Sequence, residues 1–160
     1  MKLTERQTSN LLMLAEYLEQ PILKAAFNME NYTGEPHSAK ITDCGSVGCA
    51  VGHGPYAGVP KDTSENWNAY GWENFIPSDN YMTSFREGNE PVRYNWSFAF
   101  DSDWHRIDNT PQGAAKRIRY LLAGDEVPEC FKKFIEYPSN TLYQEELKDW
   151  YAKNILNTES

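Results

Sequence analysis

Hydrophobic residues near the start of the chain recur at the spacing of one helix face. Thr4 and Gln7 precede them as a capping-box pair, which is a signal for the start of a helix. The apolar positions of this face are Leu11, Leu14, Ala15 and Leu18. Together they predict a helix over residues 5–20, and the apolar residues after Pro21 predict a short second helix over residues 22–27.

The last third of the chain has the same helical period, with clear boundaries. Thr110 suits an N-cap, Pro111 suits the first helical position, and Gly124 suits the stop. The predicted buried stripe of this helix is Ala114, Ile118, Leu121 and Leu122. Further helices are predicted over residues 129–136 and 141–156.

Residues 92–100 have a different period, because apolar and polar side chains alternate there. The apolar set is Val92, Tyr94, Trp96, Phe98 and Phe100. A period of two is typical of a half-buried strand, so a strand is predicted over these residues. Since a lone strand leaves its backbone groups unpaired, a partner strand is expected within residues 37–91.

These patterns predict a mainly α fold, or an α+β fold with at most a small sheet, that is compact and aromatic-rich in its middle. A length of 160 residues suits a single domain, residues 1–160. Its parts are N-terminal helices at 1–36, a Cys/Gly/His segment at 37–60, an aromatic-rich irregular region with the strand at 61–108, and C-terminal helices at 109–160.

Composition narrows the classes of function. The net charge of −8 opposes binding of a nucleic acid polymer, which needs clustered Lys and Arg. No apolar run reaches the roughly 18 residues needed to cross a bilayer, and residues 1–10 are polar. Three cysteines are an odd number and too few for a disulfide scaffold. A cytoplasmic protein without a membrane partner is therefore expected.

Candidate chemistry is concentrated in residues 43–55, which hold Cys44, Cys49, His53 and four glycines. If residues 46–52 form a short helix, Cys49 and His53 share one of its faces. Cys44 would then precede the first turn, where the helix dipole lowers a thiol pKa and attracts anions.

Four interpretations of this segment remain open. It is a zinc site if Cys44, Cys49 and His53 gain a fourth ligand. The candidates for that ligand are His37, His105, Cys130 and acidic side chains. It is a nucleophilic site if a histidine activates one of its thiols. The turn at Cys44, Gly45 and Ser46 is an anion cradle if it opens a helix, and otherwise the segment is a tightly packed helix with buried thiols.

Residues 101–108 form a second cluster, with three carboxylates and one imidazole. Asp101, Asp103 and His105 suit a divalent metal, or a histidine whose pKa is set for acid–base work. An EF-hand loop counted from Asp101 has Arg106 and Gln112 where glycine and glutamate are required, which disfavours calcium. The alternative is a polar turn. No resident metal and no cofactor is predicted.

Basic residues follow Thr110 on the predicted helix. Lys116, Arg117 and Arg119 are typical of a solvated face. The alternative is that some of this charge, with the free N–H groups after Thr110, receives a planar anionic ligand. The predicted ligand-binding residues are Cys44, Gly45, Ser46, His53, Trp104, His105, Arg106, Thr110 and Arg117.

Two motifs carry a resemblance to a known group of proteins. They are Cys44-Gly45-Ser46-x-x-Cys49-Ala50-x-Gly52-His53 and Asp108-Asn109-Thr110-Pro111-x-Gly113-Ala114-Ala115-x-Arg117-Ile118, with Phe27-Asn28-Met29 before the first. Over about half of its length the chain resembles small phage and bacterial proteins that have no assigned activity. The resemblance implies a phage or mobile-element context and supplies no catalytic residues.

Three functional hypotheses follow. The first is a non-enzymatic binding protein for a small anionic ligand, by analogy a nucleotide signal sequestered by a phage-type anti-defence protein. It expects residues 44–48 and 110–113 to open onto one hollow, with Trp104 stacked on a base. The second is a Cys/His or metal-assisted hydrolase. The third is an interaction module that binds a host protein. No oligomeric state is predicted.

Overall fold

The computed structural model describes residues 2–23, 27–29, 49–77 and 90–157, with side chains from residue 94 onward in the last range. Over these ranges the chain forms α-helices and short turns of 3₁₀ or π helix, and no strand. The mainly α fold predicted from the sequence is therefore confirmed.

Helix α1 spans Glu5–Leu18 and starts as the sequence predicts. The backbone N–H of Gln7 donates to Oγ1 of Thr4 at 3.1 Å, and the Thr4 N–H donates to Oε1 of Gln7 at 3.0 Å. These two bonds satisfy N–H groups that the first turn leaves unpaired. Residues 21–23 and 27–29 are not helical, so the predicted second helix is absent there, and residues 24–26 lie outside the described ranges.

The middle of the chain contributes one short turn and one short helix. Val51–His53 form a 3₁₀ turn, and α2 spans Trp67–Asn74 with the Asn66 side chain as its N-cap. A Cβ at Gly71 would lie 2.4 Å from the Trp96 ring, so only glycine permits this close contact between α2 and the following helix.

The segment predicted as a strand is a helix, α3, which spans Glu90–Phe100. The prediction over residues 92–100 was wrong because residues 95–100 of this helix are all buried, polar and apolar alike. Its polar residues Asn95 and Ser97 are each only 8% exposed, while Phe98 and Phe100 are fully buried. Polar positions here do not mark a solvent face, so their alternation carried no information about the backbone.

A 3₁₀ helix at Ser102–Arg106 leads into α4, which spans Pro111–Leu122. Thr110 is the N-cap, and its Oγ1 accepts a 3.0 Å hydrogen bond from the N–H of Gly113. Gly124 follows the helix with φ of +90°, a conformation that favours glycine after a helix end. The predicted start and stop of this helix are both confirmed.

Two helices complete the chain. Helix α5 spans Glu129–Glu136 and α6 spans Thr141–Tyr151, and a π-helical turn at Ala152–Leu156 extends α6. Their bounds agree with the predicted ranges 129–136 and 141–156.

Aromatic side chains from five elements form the centre of the core. Phe98 of α3 has four ring neighbours at centroid distances of 5.2–6.1 Å. They are Trp104, Tyr120, Phe131 and Trp150. Around this centre α1 packs along α4, and α5 packs against α6. Within the described ranges no helix is long and apolar enough to cross a membrane.

Candidate functional site

The start of α4 is occupied by a carboxylate from the protein itself. Oδ1 of Asp108 accepts hydrogen bonds from the Thr110 N–H at 3.1 Å and from the Thr110 hydroxyl at 2.6 Å. A Cβ at Gly113 would lie 2.0 Å from Oδ2 of Asp108, so the carboxylate rests directly against the helix backbone. Negative charge at a helix start is stabilising, and here Asp108 supplies it.

Asp108 also begins a chain of hydrogen bonds that leads into the core. The Tyr151 hydroxyl donates to Oδ2 of Asp108 at 2.8 Å, and Nη1 of Arg117 donates to the Tyr151 oxygen at 3.0 Å. Burial, and to a lesser degree the Asp108 carboxylate, raises the pKa of Tyr151 above its usual range, while the Arg117 charge opposes this. The hydroxyl therefore stays protonated and joins the two charged groups.

Arg117 is completely buried, whereas Arg119, two residues later on the same helix, is exposed to solvent. Its guanidinium carbon lies 4.3 Å from the centre of the Trp104 ring, a cation–π contact inside the core. Trp104 is also fully buried, and its ring is stacked on Phe131 with a centroid distance of 5.2 Å. The solvated-face interpretation of Lys116, Arg117 and Arg119 is thus wrong for Arg117.

Nε and Nη2 of Arg117 are buried and have no hydrogen-bond acceptor among the described residues. We call these two atoms the Arg117 fork. Arg119 shows what such a fork binds, since its own Nε and Nη2 donate to the two carboxylate oxygens of Glu19 at 2.8 and 2.7 Å. The geometry is the bidentate one by which arginine recognises carboxylate or phosphate. The Arg117 fork therefore has the donor geometry that suits a pair of acceptor atoms.

His53 lies in a separate aromatic cluster. It is fully buried, with the rings of Tyr17, Phe27 and Tyr56 at centroid distances of 5.9, 5.6 and 6.1 Å. Cys49, four residues earlier, is also fully buried. The proposed pairing of a thiol with His53 or His105 stays a prediction.

One short segment connects the two motifs that carried the resemblance. Phe27 contacts the ring of His53, and two residues later the N–H of Met29 donates to Oδ1 of Asn109 at 2.7 Å. The Asn109 amide also donates to Asn28 at 3.0 Å. Residues 27–29 thus join the end of the Cys/Gly/His segment to the turn before α4.

The cluster of carboxylates and one imidazole at residues 101–108, for which a metal site was one interpretation, is separated into local contacts. Oδ1 of Asp101 caps the N–H of Asp103 at 2.8 Å, and Nε of Arg106 contacts Oδ1 of Asp103 at 3.4 Å. Nδ1 of His105 lies 2.8 Å from the carbonyl oxygen of Ser102. Over the described part of the chain, no three His, Cys, Asp or Glu side chains are grouped as metal ligands. The observed arrangement is that of the polar turn named as the alternative.

The structure brings together three of the nine predicted ligand-binding residues. Trp104 and Arg117 are in contact, and Thr110 joins them through Asp108 and Tyr151. Cys44, Gly45 and Ser46 lie outside the described residues. A common hollow for residues 44–48 and 110–113 therefore stays a prediction.

Tyr151 is the member of this network that the sequence did not reveal. It is followed by the π-helical turn and belongs to the predicted helix over residues 141–156, where nothing distinguishes it from a packing residue. Asp108 was named in the sequence as part of the acidic turn and of the second resemblance motif, but no role was assigned to it. The sequence signal that could have identified Asp108 is its position two residues before the N-cap threonine, Thr110.

Comparison of the chain with protein-family models, with curated proteins and with solved structures finds no match. The candidate site therefore rests on its own geometry, which is a buried arginine with one free bidentate edge.

Proposed function

We propose that the protein is a non-enzymatic binding protein for a small anionic ligand, held by the Arg117 fork. The supporting observation is the pair of buried guanidinium donors that have no acceptor in the described structure. Leaving a buried donor unpaired costs about 1–3 kcal/mol, and more where the donor is charged. A ligand with two acceptor oxygens removes that cost when it binds, which makes the fork a strong attractor for such a group.

The charge balance around Arg117 limits the charge of the ligand. The guanidinium is already neutralised through Tyr151 by the Asp108 carboxylate. Burying additional charge is expensive, so a group with a single negative charge fits better than one with two. A phosphate monoester carries a charge of about −1.5 to −2 at neutral pH. We therefore favour a phosphodiester or a carboxylate over a terminal phosphate.

A nucleotide that contains a phosphodiester meets this condition. Cyclic nucleotide signals have that chemistry, and the phage-type context of the resemblance makes sequestration of such a signal the specific form of the proposal. Cys44, Gly45, Ser46 and His53 remain proposed contacts on sequence grounds. Trp104 acts in this scheme by orienting Arg117 through its ring rather than by stacking on a base, since the ring is buried.

Solvent does not reach the Arg117 side chain, which is 0% exposed. Side chains around the fork must move before a ligand enters, and conformational opening before binding lowers the association rate constant below the usual 10⁵–10⁷ M⁻¹s⁻¹. Slow association with slow release is the kinetic behaviour that this proposal predicts.

The test is isothermal titration and thermal melting against a panel of cyclic 3′,5′-AMP, cyclic 3′,5′-GMP, AMP, GMP and acetate. A ligand present at 100 times its Kd should stabilise the native state by about 2.7 kcal/mol, which a melting curve detects. We expect the cyclic diesters to bind more tightly than the monoesters. A panel with neither heat nor a melting shift would overturn the proposal.

Arg117→Lys and Arg119→Lys form a matched pair of variants. Lysine keeps the charge but lacks the planar fork, so Arg117→Lys should weaken binding at least about tenfold, whereas Arg119→Lys on the same helix should not. The Nε–H proton signals of arginine in the unmodified protein give an independent readout. Ligand binding should shift the Arg117 signal, and a shift at Arg119 alone would contradict the proposal.

A further inference from the structure

A cleft of about 240 Å³ lies between α1 and the segment that follows the first 3₁₀ turn, and the proposed function does not use it. This volume has room for about eight water molecules. We call it the tyrosine cleft, and its lining residues are Met13, Glu16, Tyr17, Gln20, Tyr56 and Ala57. Met13, Glu16 and Tyr17 share one face of α1 because they are spaced three and four residues apart.

Two tyrosines of the cleft pack against the same buried ring. The rings of Tyr17 and Tyr56 both pack on the buried His53 ring, at centroid distances of 5.9 and 6.1 Å. Tyr17 is 6% exposed, while Tyr56 is 37% exposed and so presents part of its surface to the cleft. Rings held in place by packing bind a ligand without losing much side-chain freedom.

The residues that line the cleft carry one formal negative charge. Among them Glu16 is the one acidic residue, and none is basic. Arg119 interacts electrostatically with Glu16, and its fork is already bound to Glu19, so these three groups sum to one negative charge. The C-terminal end of α1, which has no basic residue in its last turn, adds the negative pole of the helix dipole.

From this combination we infer that the tyrosine cleft binds a small organic cation, of the substituted-ammonium class. An ammonium group is attracted to the exposed part of the Tyr56 ring and to the Glu16 carboxylate. Met13 offers a polarisable thioether to the alkyl part of such a ligand, and Gln20 offers an amide oxygen. The chemistry of the cleft is opposite to that of the Arg117 fork, and Arg117 is not among its lining residues.

The experiment compares choline with 3,3-dimethyl-1-butanol, a neutral molecule of the same shape, and with acetate. Two-dimensional ¹H–¹⁵N NMR titration of the full chain reports both affinity and location. We expect choline to shift the backbone signals of residues 13–20 and 56–57, and the neutral analogue to bind at least about threefold more weakly. Equal affinity for the two probes, or shifts confined to other parts of the chain, would overturn the inference.

Two pairs of variants locate the interaction. Glu16→Gln should weaken choline binding about threefold or more, while Glu126→Gln, the same change at an exposed loop position, should not. Tyr56→Leu should weaken it about two- to fivefold, the range expected for an exposed cation–π contact. Tyr137→Leu, at a tyrosine that is 61% exposed, is its control. Equal losses in both members of either pair would contradict the site.

Discussion

The Tyr151 hydroxyl donates a 2.8 Å hydrogen bond to Asp108, a residue 43 positions earlier in the chain. This bond ties the end of α6 to the turn before α4. Because the same hydroxyl accepts from Arg117, one side chain supports both the fold of the C-terminal half and the orientation of the proposed anion site. A change at Tyr151 should therefore affect stability and ligand binding together.

Tyr151→Phe is predicted to lower the free energy of unfolding by about 1–3 kcal/mol, because it leaves Arg117 and Asp108 without their shared partner. Urea denaturation measures this difference, and the m-value shows whether the native state stays compact. Tyr137→Phe removes a hydroxyl from an exposed ring and serves as the control. If the two variants were equally stable, the network would be energetically neutral.

Stability is predicted to fall in alkaline solution. Burial raises the pKa of Tyr151 above its ordinary value of 10.0, and burial likewise raises the pKa of Cys130 above its ordinary value of 9.0. The unfolded chain then releases these protons at lower pH than the native protein does. The stabilisation that Tyr151 and Cys130 give to the native state is therefore complete below about pH 9. It is lost as pH rises through their higher native pKa values.

Urea denaturation at several pH values between about 8 and 11 tests this, and Tyr151→Phe should reduce the slope by up to one proton. Burial also raises the pKa of Tyr70. The variant Tyr70→Phe should therefore also reduce the slope of unfolding free energy against pH. A free energy of unfolding that rose with pH over this range would contradict the assignment.

Much of the helical framework could be predicted from local sequence because its signals are local. The capping box at Thr4 and Gln7 and the threonine–proline start of α4 act within four residues of each other. By contrast, α3 was mistaken for a strand because the burial of its residues 95–100 depends on neighbours that are distant in sequence. Periodicity is informative only for an element with one solvent face.

The candidate site was only partly predictable for the same reason. Arg117 and Arg119 are two positions apart and look equivalent in the sequence. Arg119 finds its partner Glu19 100 residues away at the surface, whereas Arg117 finds Tyr151 34 residues away in the core. No local pattern distinguishes a solvated arginine from one that is enclosed by a tryptophan and a tyrosine.

Gly113→Ala is predicted to destabilise the protein, although alanine normally favours a helix over glycine by about 1 kcal/mol. The added Cβ would lie 2.0 Å from the Asp108 carboxylate, which would have to leave the start of α4 and the Tyr151 hydroxyl. Thermal melting measures the effect. Lys116→Ala in the same helix is the control, since it changes helix propensity without touching Asp108, and an equal or higher melting temperature for Gly113→Ala would refute the close contact.

Alkylation by iodoacetamide separates the binding proposal from the hydrolase alternative. Cys49 is fully buried, and burial raises the pKa of the Cys130 thiol, so both described thiols should react slowly at neutral pH in the native protein. In urea both should react at the rate of ordinary thiols, which provides the internal control, and mass spectrometry of peptides assigns each modified cysteine. A catalytic thiolate would instead react faster in the native protein than in the unfolded chain. Rapid native modification of Cys44 or Cys49 would favour the hydrolase, because only an activated nucleophile gains reactivity on folding.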